Sequence, residues 1–401
     1  MTKIQSKIEQ LITKLCPKGV EFKSLGELGV FYGGLSGKSK EDFSNGNAKF
    51  VTYMNIFSNI FVDTNIKHFV KVGDKENQNR IEYGDVLFTG SSETPNECGM
   101  SSVLTKKIDE PLYLNSFSFG FRLNDKNLLL PEFSKYLFRD EQMRKQIAKT
   151  ASGVTRFNVS KKRFAKIKIP LPPIAVQEEI AKILNSFTEL EAELEAELEA
   201  RKKQYEHYRA QLLTFPEGGV RQMAISEICQ ISRGRVMSKD YLQTNAGEYP
   251  VYSSQTTDNG IFGRINTYDY DGEYITWTTD GANAGSIFYR NGKFSLTNVC
   301  GLLKVKTENV NTKFLSYILA TVSKKYVSSG MGNPKLMSNI MANVKVKIPS
   351  LKEQNYIVSI LDKFDALTND ISIGLPAELK ARRSQYEYYQ GKLLTFNEYA
   401  H

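Results

Sequence analysis

Apolar residues recur at every fourth position along two long stretches of the chain. Residues 189–200 read ELEAELEAELEA, and a second such stretch starts at residue 367. Residues four apart lie on one face of an α-helix, so the spacing predicts long helices over residues 176–214 and 353–396. The stripe positions are Leu190, Leu194 and Leu198 in the first helix and Leu367, Ile371, Leu375 and Leu379 in the second.

Each stripe needs a partner, because a long apolar face is unfavourable in water. The chain itself provides one in the other stripe, so we expect an antiparallel pair of helices. Gly374 and Pro376 are expected to interrupt the second helix, since proline lacks the backbone N–H and clashes with the preceding turn.

The remaining residues follow a different pattern. Residues 20–165 and 216–344 are rich in Gly, Asn, Tyr, Phe and Thr, and short runs such as Glu273–Thr278 have strand character. Short helices are expected at residues 131–149 and 312–326. Regular alternation of strands and helices is absent, so the pattern predicts compact α+β domains.

The chain is an internal repeat. ELEARKKQYEHYRAQLLTF at residues 197–215 matches ELKARRSQYEYYQGKLLTF at residues 378–396 in 12 of 19 positions. We call these two segments the first tail and the second tail. A match of this length exceeds what composition produces, so each half of the chain is expected to have the same fold.

The similarity continues upstream of the tails. A block containing Gln177 aligns with one containing Gln354, and residues 84–92 have a counterpart in residues 272–280. The order is therefore helix, mixed domain, long helix, mixed domain, long helix.

Charge and composition narrow the classes of function. The chain has 53 Lys and Arg against 44 Asp and Glu, a net charge of +9 and a pI near 9.0, which favours polyanionic partners. No apolar run approaches the ~18–20 residues of a membrane span, and residues 1–15 lack the apolar core of a signal peptide. We therefore expect a cytoplasmic protein without a membrane partner. Its four scattered cysteines do not have zinc-site spacing.

Candidate catalytic motifs are incomplete. Residues 33–39, GGLSGKS, resemble a phosphate-binding loop, but the first glycine of that motif would fall at Tyr32. Ser91-Ser92, residues 278–280 and the histidines do not form a nucleophile–base–acid set at any defensible spacing. We expect a binding protein with no catalytic residue, cofactor site or metal site of its own.

The helical segments resemble a known family. Residues 167–184 (IKIPLPPIAVQEEIAKIL) and 374–389 (GLPAELKARRSQYEYY) resemble the helical regions of specificity subunits of type I restriction-modification systems, and CPKGV at residues 16–20 resembles the start of their first target-recognition domain. The resemblance implies an α+β fold with two tandem, pseudo-symmetric target-recognition domains separated by two long antiparallel helices that form a coiled-coil spacer. The corresponding segments are residues 1–165 (N-terminal helix and first target-recognition domain), 166–215 (central helical spacer), 216–344 (second target-recognition domain) and 345–401 (C-terminal helical spacer).

The resemblance also implies a division of labour. Each domain reads one half of a bipartite site in double-stranded DNA, and the helices set the spacer and dock two modification subunits. These partners and two restriction subunits supply the methyltransferase and endonuclease activities, with S-adenosylmethionine, ATP and Mg²⁺. One tetrad is ~6 Å of helix at ~1.5 Å per residue. Since a base pair rises ~3.4 Å, one tetrad corresponds to one or two base pairs of spacer.

Side chains that can hydrogen-bond to base edges or phosphates are the candidate DNA contacts. They are Lys38, Ser39, Lys40, Ser91, Ser92 and Arg156 in the first domain and Arg233, Arg235, Ser254, Gln255, Thr279 and Asn283 in the second. The candidates for the helical spacer and subunit docking are the seven stripe residues together with Tyr205 and Tyr386.

Two other functions stay open at this point. A coiled-coil adaptor that joins proteins without touching DNA would explain the helices alone. A P-loop nucleotide hydrolase using Lys38 would explain residues 33–39, although its first glycine is missing.

Overall fold

A computed structural model of the chain describes residues 10–328, 332–370 and 372–398. The chain divides into two compact units, Met1–Glu195 with Leu379–His401, and Ala196–Glu378. Most of the second tail therefore belongs to the first unit, and the first tail belongs to the second unit. Each tail completes the unit of the other repeat.

After the helical residues 10–15, the first half of the chain contains twelve strands and six further α-helices within the described residues. The strands are β1 (Glu21–Ser24), β2 (Gly29–Gly33), β3 (Ala48–Val51), β4 (Phe69–Val70), β5 (Val86–Thr89), β6 (Ser91–Ser92), β7 (Ser101–Val103), β8 (Leu112–Leu114), β9 (Ser118–Leu123), β10 (Ala151–Ser152), β11 (Phe157–Val159) and β12 (Lys168–Leu171). The helices are α1 (Leu25–Leu28), α2 (Tyr53–Ser58), α3 (Pro131–Leu137), α4 (Glu141–Ala148), α5 (Lys161–Phe164) and α6 (Ile174–Leu212).

The second half repeats this arrangement with fewer strands. The strands are β13 (Arg221–Ala224), β14 (Cys229–Arg233), β15 (Ala246–Tyr252), β16 (Ile261–Ile265), β17 (Glu273–Thr278), β18 (Ile287–Asn291), β19 (Ser295–Leu296), β20 (Cys300–Val305) and β21 (Lys345–Ile348). The helices are α7 (Ile225–Ile228), α8 (Lys239–Thr244), α9 (Thr312–Val322), α10 (Ser338–Asn343), α11 (Leu351–Thr368) and α12 (Leu375–Leu393).

The main sheets of the two units have the same topology, and the first unit has one further three-stranded sheet of order β10-β11-β6. A four-stranded antiparallel sheet has the order β2-β9-β5-β7 in the first unit and β14-β20-β17-β18 in the second. A three-stranded sheet has the order β4-β3-β8 or β16-β15-β19, with one parallel pair in each. These sheets and the helices packed on them confirm the expected mixed fold and its repeat.

The strand registers correct one detail of the internal alignment. Phe88 pairs with Phe119 in the first unit, and Trp277 pairs with Gly301 at the matching place in the second. Thr89 Oγ1 accepts a hydrogen bond from Met100 N (2.9 Å), as Thr278 Oγ1 does from Ser286 N (3.1 Å). Alignment of residues 84–92 with 272–280 was therefore wrong by one residue, a slip that moves every side chain to the other face of a strand.

The long helices confirm part of the helical prediction. α6 is continuous over 39 residues, whereas the second stretch is divided into α11 and α12 around Gly374 and Pro376, as expected. The stripe on α6 is not fully covered, because Leu190 is 43% exposed. Four residues turn an α-helix by about 400°, so successive leucines drift around it by about 40°. Ile371 and residues 1–9 lie outside the described residues.

An aromatic junction attaches each tail to its unit. Phe187 lies against Tyr386 and Tyr389, with ring centroids 6.4 and 5.6 Å apart. Phe364 lies against Tyr205 and Tyr208 at 6.1 and 5.6 Å. These are equivalent residues of the two repeats, and in both units the packing joins one tail to the helix that follows the mixed domain.

Ion pairs add to the junction in the first unit. Arg383 of α12 contacts Glu191 (2.6 Å) and Glu195 (2.5 Å), which occupy the same position in successive tetrads of α6. Because Phe187 pairs with later residues of α12 than Glu195 does, α12 is antiparallel to α6 within this unit.

A buried glutamine fixes the start of the long helix in each unit. Gln177 Nε2 donates to the carbonyls of Leu128 (2.9 Å) and Pro172 (2.7 Å), and its Oε1 accepts from Leu130 N (2.8 Å). Gln354 makes the same three contacts, with Asn309, Pro349 and Asn311. Both side chains are fully buried. The match between Gln177 and Gln354 in the sequence therefore reflects a shared structural role.

Replacing Gln177 by Leu keeps the size of the side chain and removes all three hydrogen bonds. We expect the free energy of unfolding of the first unit to fall by about 3 kcal/mol, at about 1 kcal/mol per bond. Urea denaturation of the purified chain measures this. Gln211→Leu, at an exposed position of α6, is the matched control and should change stability by less than about 0.5 kcal/mol. Equal losses in the two variants would contradict this role.

Candidate nucleic-acid interface

In the first unit, several segments meet where β2, β5 and β9 reach one end of the sheet. Gly34 N donates to Ser118 O (3.3 Å), Gly90 N to Phe117 O (2.9 Å) and Asn115 N to Val51 O (3.1 Å). We call this region, with the hairpin that covers it, the first strand-end surface. It comprises residues 34–36, 52–54, 90–92, 115–118 and 154–156.

A cleft of about 410 Å³ opens beside this surface. Arg156 Nε donates to Ser91 Oγ (3.0 Å), and Tyr53 OH donates to Ser91 O (2.8 Å), so the expected candidates Ser91 and Arg156 do come together. Ser92 donates to Glu97 (3.2 Å). Arg156 is exposed, while Ser91 and Ser92 are largely buried. The lining residues are Tyr53, Met54, Phe57, Ser91, Ser92, Glu93, Glu97, Thr155 and Arg156.

Apolar side chains on this surface were missed by reasoning from the sequence. Met54 is 60% exposed, Phe117 65% and Val154 92%. A methionine or phenylalanine near a strand is more often part of a core, so composition alone does not reveal them. Their exposure gives the first surface groups that can contact the apolar parts of a ligand.

The second unit has an equivalent surface where β14, β17 and β20 end. Gly234 N donates to Cys300 O (3.2 Å), Thr279 N to Val299 O (3.1 Å) and Thr297 N to Tyr252 O (2.9 Å). We call this the second strand-end surface. It comprises residues 233–235, 253–255, 279–280, 297–299 and 335.

A polar network holds Arg233 at this surface. Arg233 Nη2 donates to Thr279 Oγ1 (2.8 Å) and lies 3.5 Å from Asp280 Oδ2. Thr279 Oγ1 in turn donates to Asp280 (2.6 Å), and Lys335 Nζ lies 3.7 Å from the same carboxylate. Thr279 is fully buried, so it can hold Arg233 in place but is not accessible to a ligand.

The other candidates of the second domain have different surroundings. Arg235 is exposed and lies over the Tyr241 ring, where hydrogen bonds to Tyr241 OH (3.1 Å) and Asp269 (3.0 Å) raise its pKa. Gln255 donates to the carbonyl of Ile261 and is half-buried, as is Ser254. Asn283 is exposed in the turn between β17 and β18.

The candidates at residues 38–40 do not join the first strand-end surface. Lys38 Nζ contacts both carboxylate oxygens of Glu76 and donates to Lys71 O, and its side chain is only 5% exposed. The hydrogen bond from Lys38 Nζ to the Glu76 carboxylate lowers the pKa of Glu76. Ser39 contacts Asp42 (2.8 Å from its backbone N), and Lys40 is exposed. Contact of these three residues with DNA stays a prediction, and their positions in the structure do not support it.

The same geometry argues against nucleotide hydrolysis. A P-loop cradles phosphate at the start of a helix, whereas residues 33–39 lead only into the 3₁₀ turn Glu41–Phe43. Lys38 is also paired with a carboxylate. The P-loop interpretation therefore has the wrong structural context.

In the part of the chain that the structure describes, neither the buried thiols of Cys229 and Cys300 nor a metal-binding cluster offers an alternative site. Burial raises the pKa of Cys229 and Cys300 to about 12, which keeps these thiols protonated and unreactive at neutral pH. Among the described residues, no cluster of His, Cys, Asp or Glu could hold a metal ion, and no helix is long and apolar enough to cross a membrane.

Comparison with known proteins identifies the family to which the chain is related. The sequence profile of the type I restriction modification DNA specificity domain matches residues 17–200 and again residues 217–381. The Mycoplasma pneumoniae protein S.MpnORF615P, which carries the name of a type I specificity subunit, is 44% identical over 247 residues, covering 59% of this chain and 96% of its own. The specificity subunit of the type I restriction enzyme MpnII from the same species is 44% identical over 206 residues, covering 49% of this chain and 62% of its own.

A solved structure shares the fold. The crystal structure of a type I restriction-modification S subunit from M. genitalium aligns with a TM-score of 0.56 and 17% identity, covering 94% of this chain and 96% of that chain. The profile matches both repeats and most of the chain. The chain therefore belongs to the family of type I restriction-modification specificity subunits.

Proposed function

We propose that this chain is the non-catalytic, sequence-reading subunit of a type I restriction-modification complex, in which each strand-end surface reads one half of a bipartite site in double-stranded DNA. The observation that carries the proposal is the pair of surfaces. Both are built on the same strand ends by equivalent backbone hydrogen bonds, but they present different side chains. Because the two surfaces have the same backbone arrangement, we expect both to approach DNA in the same way. Because their side chains differ, we expect them to recognise two different half-sites.

The hydrogen-bonding groups of the two surfaces suggest which residues read bases. Arg156 in the first surface and Arg233 in the second have guanidinium groups suited to the guanine edge, and Gln255 is suited to adenine. Ser254 can contact either, while Lys335 and Arg235 suit phosphates. Met54 and Phe117 can contact thymine methyl groups. Ser91 and Thr279 would act by holding the two arginines.

The helices supply the spacer in this proposal. α6 and α12 act as an antiparallel coiled-coil spacer, and the number of tetrads in residues 189–200 sets the number of unread base pairs. Their exposed faces dock two modification subunits, which bring S-adenosylmethionine and the methyltransferase activity. Two restriction subunits bring ATP- and Mg²⁺-dependent translocation and cleavage.

Replacing Arg156 by Gln should relax discrimination only in the first half-site, and Arg233→Gln only in the second. Each good arginine–guanine pair contributes about 1–3 kcal/mol, so we expect the affinity ratio between cognate and single-base-substituted duplexes to fall about tenfold or more. Competition binding of the assembled methyltransferase complex to duplexes substituted in one half at a time measures both ratios at a stated salt concentration.

Lys126→Gln is the control for this experiment. Lys126 is exposed and follows β9 at the end of the sheet opposite the first strand-end surface. Its replacement should leave both ratios unchanged. Equal relaxation of both half-sites by Arg156→Gln, or by the control, would contradict the assignment of one surface to each half-site.

Deleting Leu194–Glu197 should shorten the recognised spacer by one or two base pairs and leave both half-sites unchanged. Removal of one tetrad preserves the helical pattern, and Glu199 would replace Glu195 opposite Arg383. Binding to a set of duplexes that differ only in spacer length measures the change. Deletion of three residues, Leu194–Ala196, breaks the pattern and serves as the control, for which we expect lost binding. Altered half-sites with an unchanged spacer would contradict this role of the tetrads.

The remaining alternative is a coiled-coil adaptor that never touches DNA. Counterion release makes DNA binding weaken steeply with salt. An assembled complex whose DNA association is absent or insensitive to salt would favour the adaptor.

A further inference from the structure

A half-buried arginine, Arg139, lies behind the cleft of the first unit. Arg139 Nη2 donates to three carbonyls at the end of α2, those of Ile56 (2.7 Å), Phe57 (3.0 Å) and Asn59 (3.0 Å). Its Nε donates to Ser101 O (2.7 Å). One planar guanidinium thereby joins the last turn of α2 to β7 and satisfies helix carbonyls that have no partner within α2.

A second arginine holds another segment that lines the cleft in the same way. Arg144 of α4 donates through Nη2 to the carbonyls of Asn96 (2.8 Å) and Cys98 (2.6 Å), and through Nη1 to that of Gly99. These acceptors lie in and just after the 3₁₀ turn Pro95–Glu97, which brings Glu97 to the cleft.

Neither guanidinium is neutralised by a carboxylate in the described part of the chain. Burial lowers the pKa of Arg139 and of Arg144 to about 10, and no carboxylate opposes it; the charge of Arg144 adds to the lowering at Arg139. Both groups still carry their charge at neutral pH. Burying such a charge is unfavourable, and its compensation here is hydrogen bonding to backbone carbonyls, with one further contact from Arg139 Nη1 to Met100 Sδ (3.7 Å). The contacts therefore hold backbone segments in place and do not form ion pairs.

The supported segments carry the lining of the cleft. α2 supplies Tyr53, Met54 and Phe57, and the 3₁₀ turn supplies Glu97, while Arg139 and Arg144 do not line the cleft themselves. We propose that Arg139 and Arg144 are positioning residues for recognition of the first half-site, because they hold α2, which bears Met54, and the 3₁₀ turn, whose Glu97 accepts a hydrogen bond from Ser92 next to the partner of Arg156. This inference rests on the proposed function of the first strand-end surface.

The described part of the second unit has no arginine at the position that corresponds to Arg139. Tyr136 and Tyr317 are equivalent, since each donates to a residue of the following long helix, Asn185 or Asp362 (both 2.7 Å). Three residues later, Ala320 stands where the first unit has Arg139. Loss of the arginines should therefore affect one half-site only, and the other half-site provides an internal reference.

Lysine is the discriminating replacement. Arg139→Lys and Arg144→Lys keep the positive charge, but one ammonium cannot reach carbonyls on two segments with fixed geometry as the guanidinium fork does. Because a reading group must be held within about 0.5 Å, we expect the cognate-to-substituted affinity ratio for the first half-site to fall about tenfold, within the range of one base contact. The ratio for the second half-site should stay within about twofold.

The assembled methyltransferase complex is assayed with duplexes substituted in one half at a time. Amide hydrogen exchange at residues 53–59 should increase in Arg139→Lys and not in Arg144→Lys, which localises the change even if one variant is less stable. Arg80→Lys, which replaces an exposed arginine outside the lining of the cleft, is the control and should change neither ratio.

The outcomes separate this inference from the proposed function. Weaker binding with both ratios preserved, or both reduced equally, would show that the arginines act only on stability and would overturn the inference. Variants that still discriminate between cognate and substituted duplexes at the second half-site, but not at the first, would support the inference. A wild-type complex that discriminates at neither half-site would overturn the proposed function, and the inference with it.

Discussion

Each unit depends on an aromatic contact with a helix from the other repeat. Phe187 needs Tyr386 and Tyr389, and Phe364 needs Tyr205 and Tyr208. Tyr205 and Tyr389 are buried, and burial of an aromatic group of this size contributes several kilocalories per mole, while offset ring pairs add about 0.5–1.5 kcal/mol beyond their area. Neither repeat can therefore complete its hydrophobic core with its own tail. Because the tails are exchanged, the stability of each unit depends on a helix from the other repeat, although each unit has its own sheets.

This constraint separates what must be equal in the two repeats from what can differ. The tails, the buried glutamines and the strand order are equivalent, because each forms part of a packed core. The strand-end surfaces carry few residues of that core, so their side chains are free to differ. The first surface combines exposed apolar groups with Arg156, whereas the second has Arg233 and Lys335 around Asp280. A common scaffold with two different surfaces is what a reader of an asymmetric site requires.

The sequence predicted the features that follow from periodicity and repetition. Helical spacing indicated α6 and the break before α12, and the match of Gln177 with Gln354 marked identical buried contacts. It could not predict features set by long-range packing. Thr279 looked accessible but is buried beneath Arg233, and Lys38 is paired with Glu76, which is 38 residues away in the sequence. The one-residue error in aligning residues 84–92 arose because local similarity does not determine the register of a strand.

The role of Arg139 and Arg144 could not be predicted from the sequence either. Their acceptors are backbone carbonyls, which every residue possesses, so no pairing of side-chain types could have marked them. Met54 and Phe117 were missed for a related reason, since exposure depends on where the strands end.

The central claim is that the two surfaces read two separated halves of one DNA sequence. The most direct test is to express the chain with its cognate modification subunit and map methylated adenines across the host DNA. The account predicts a single bipartite motif with a fixed unread gap between two different half-sites. A soluble complex with an active modification subunit that methylates a continuous motif, or no new site, would contradict it.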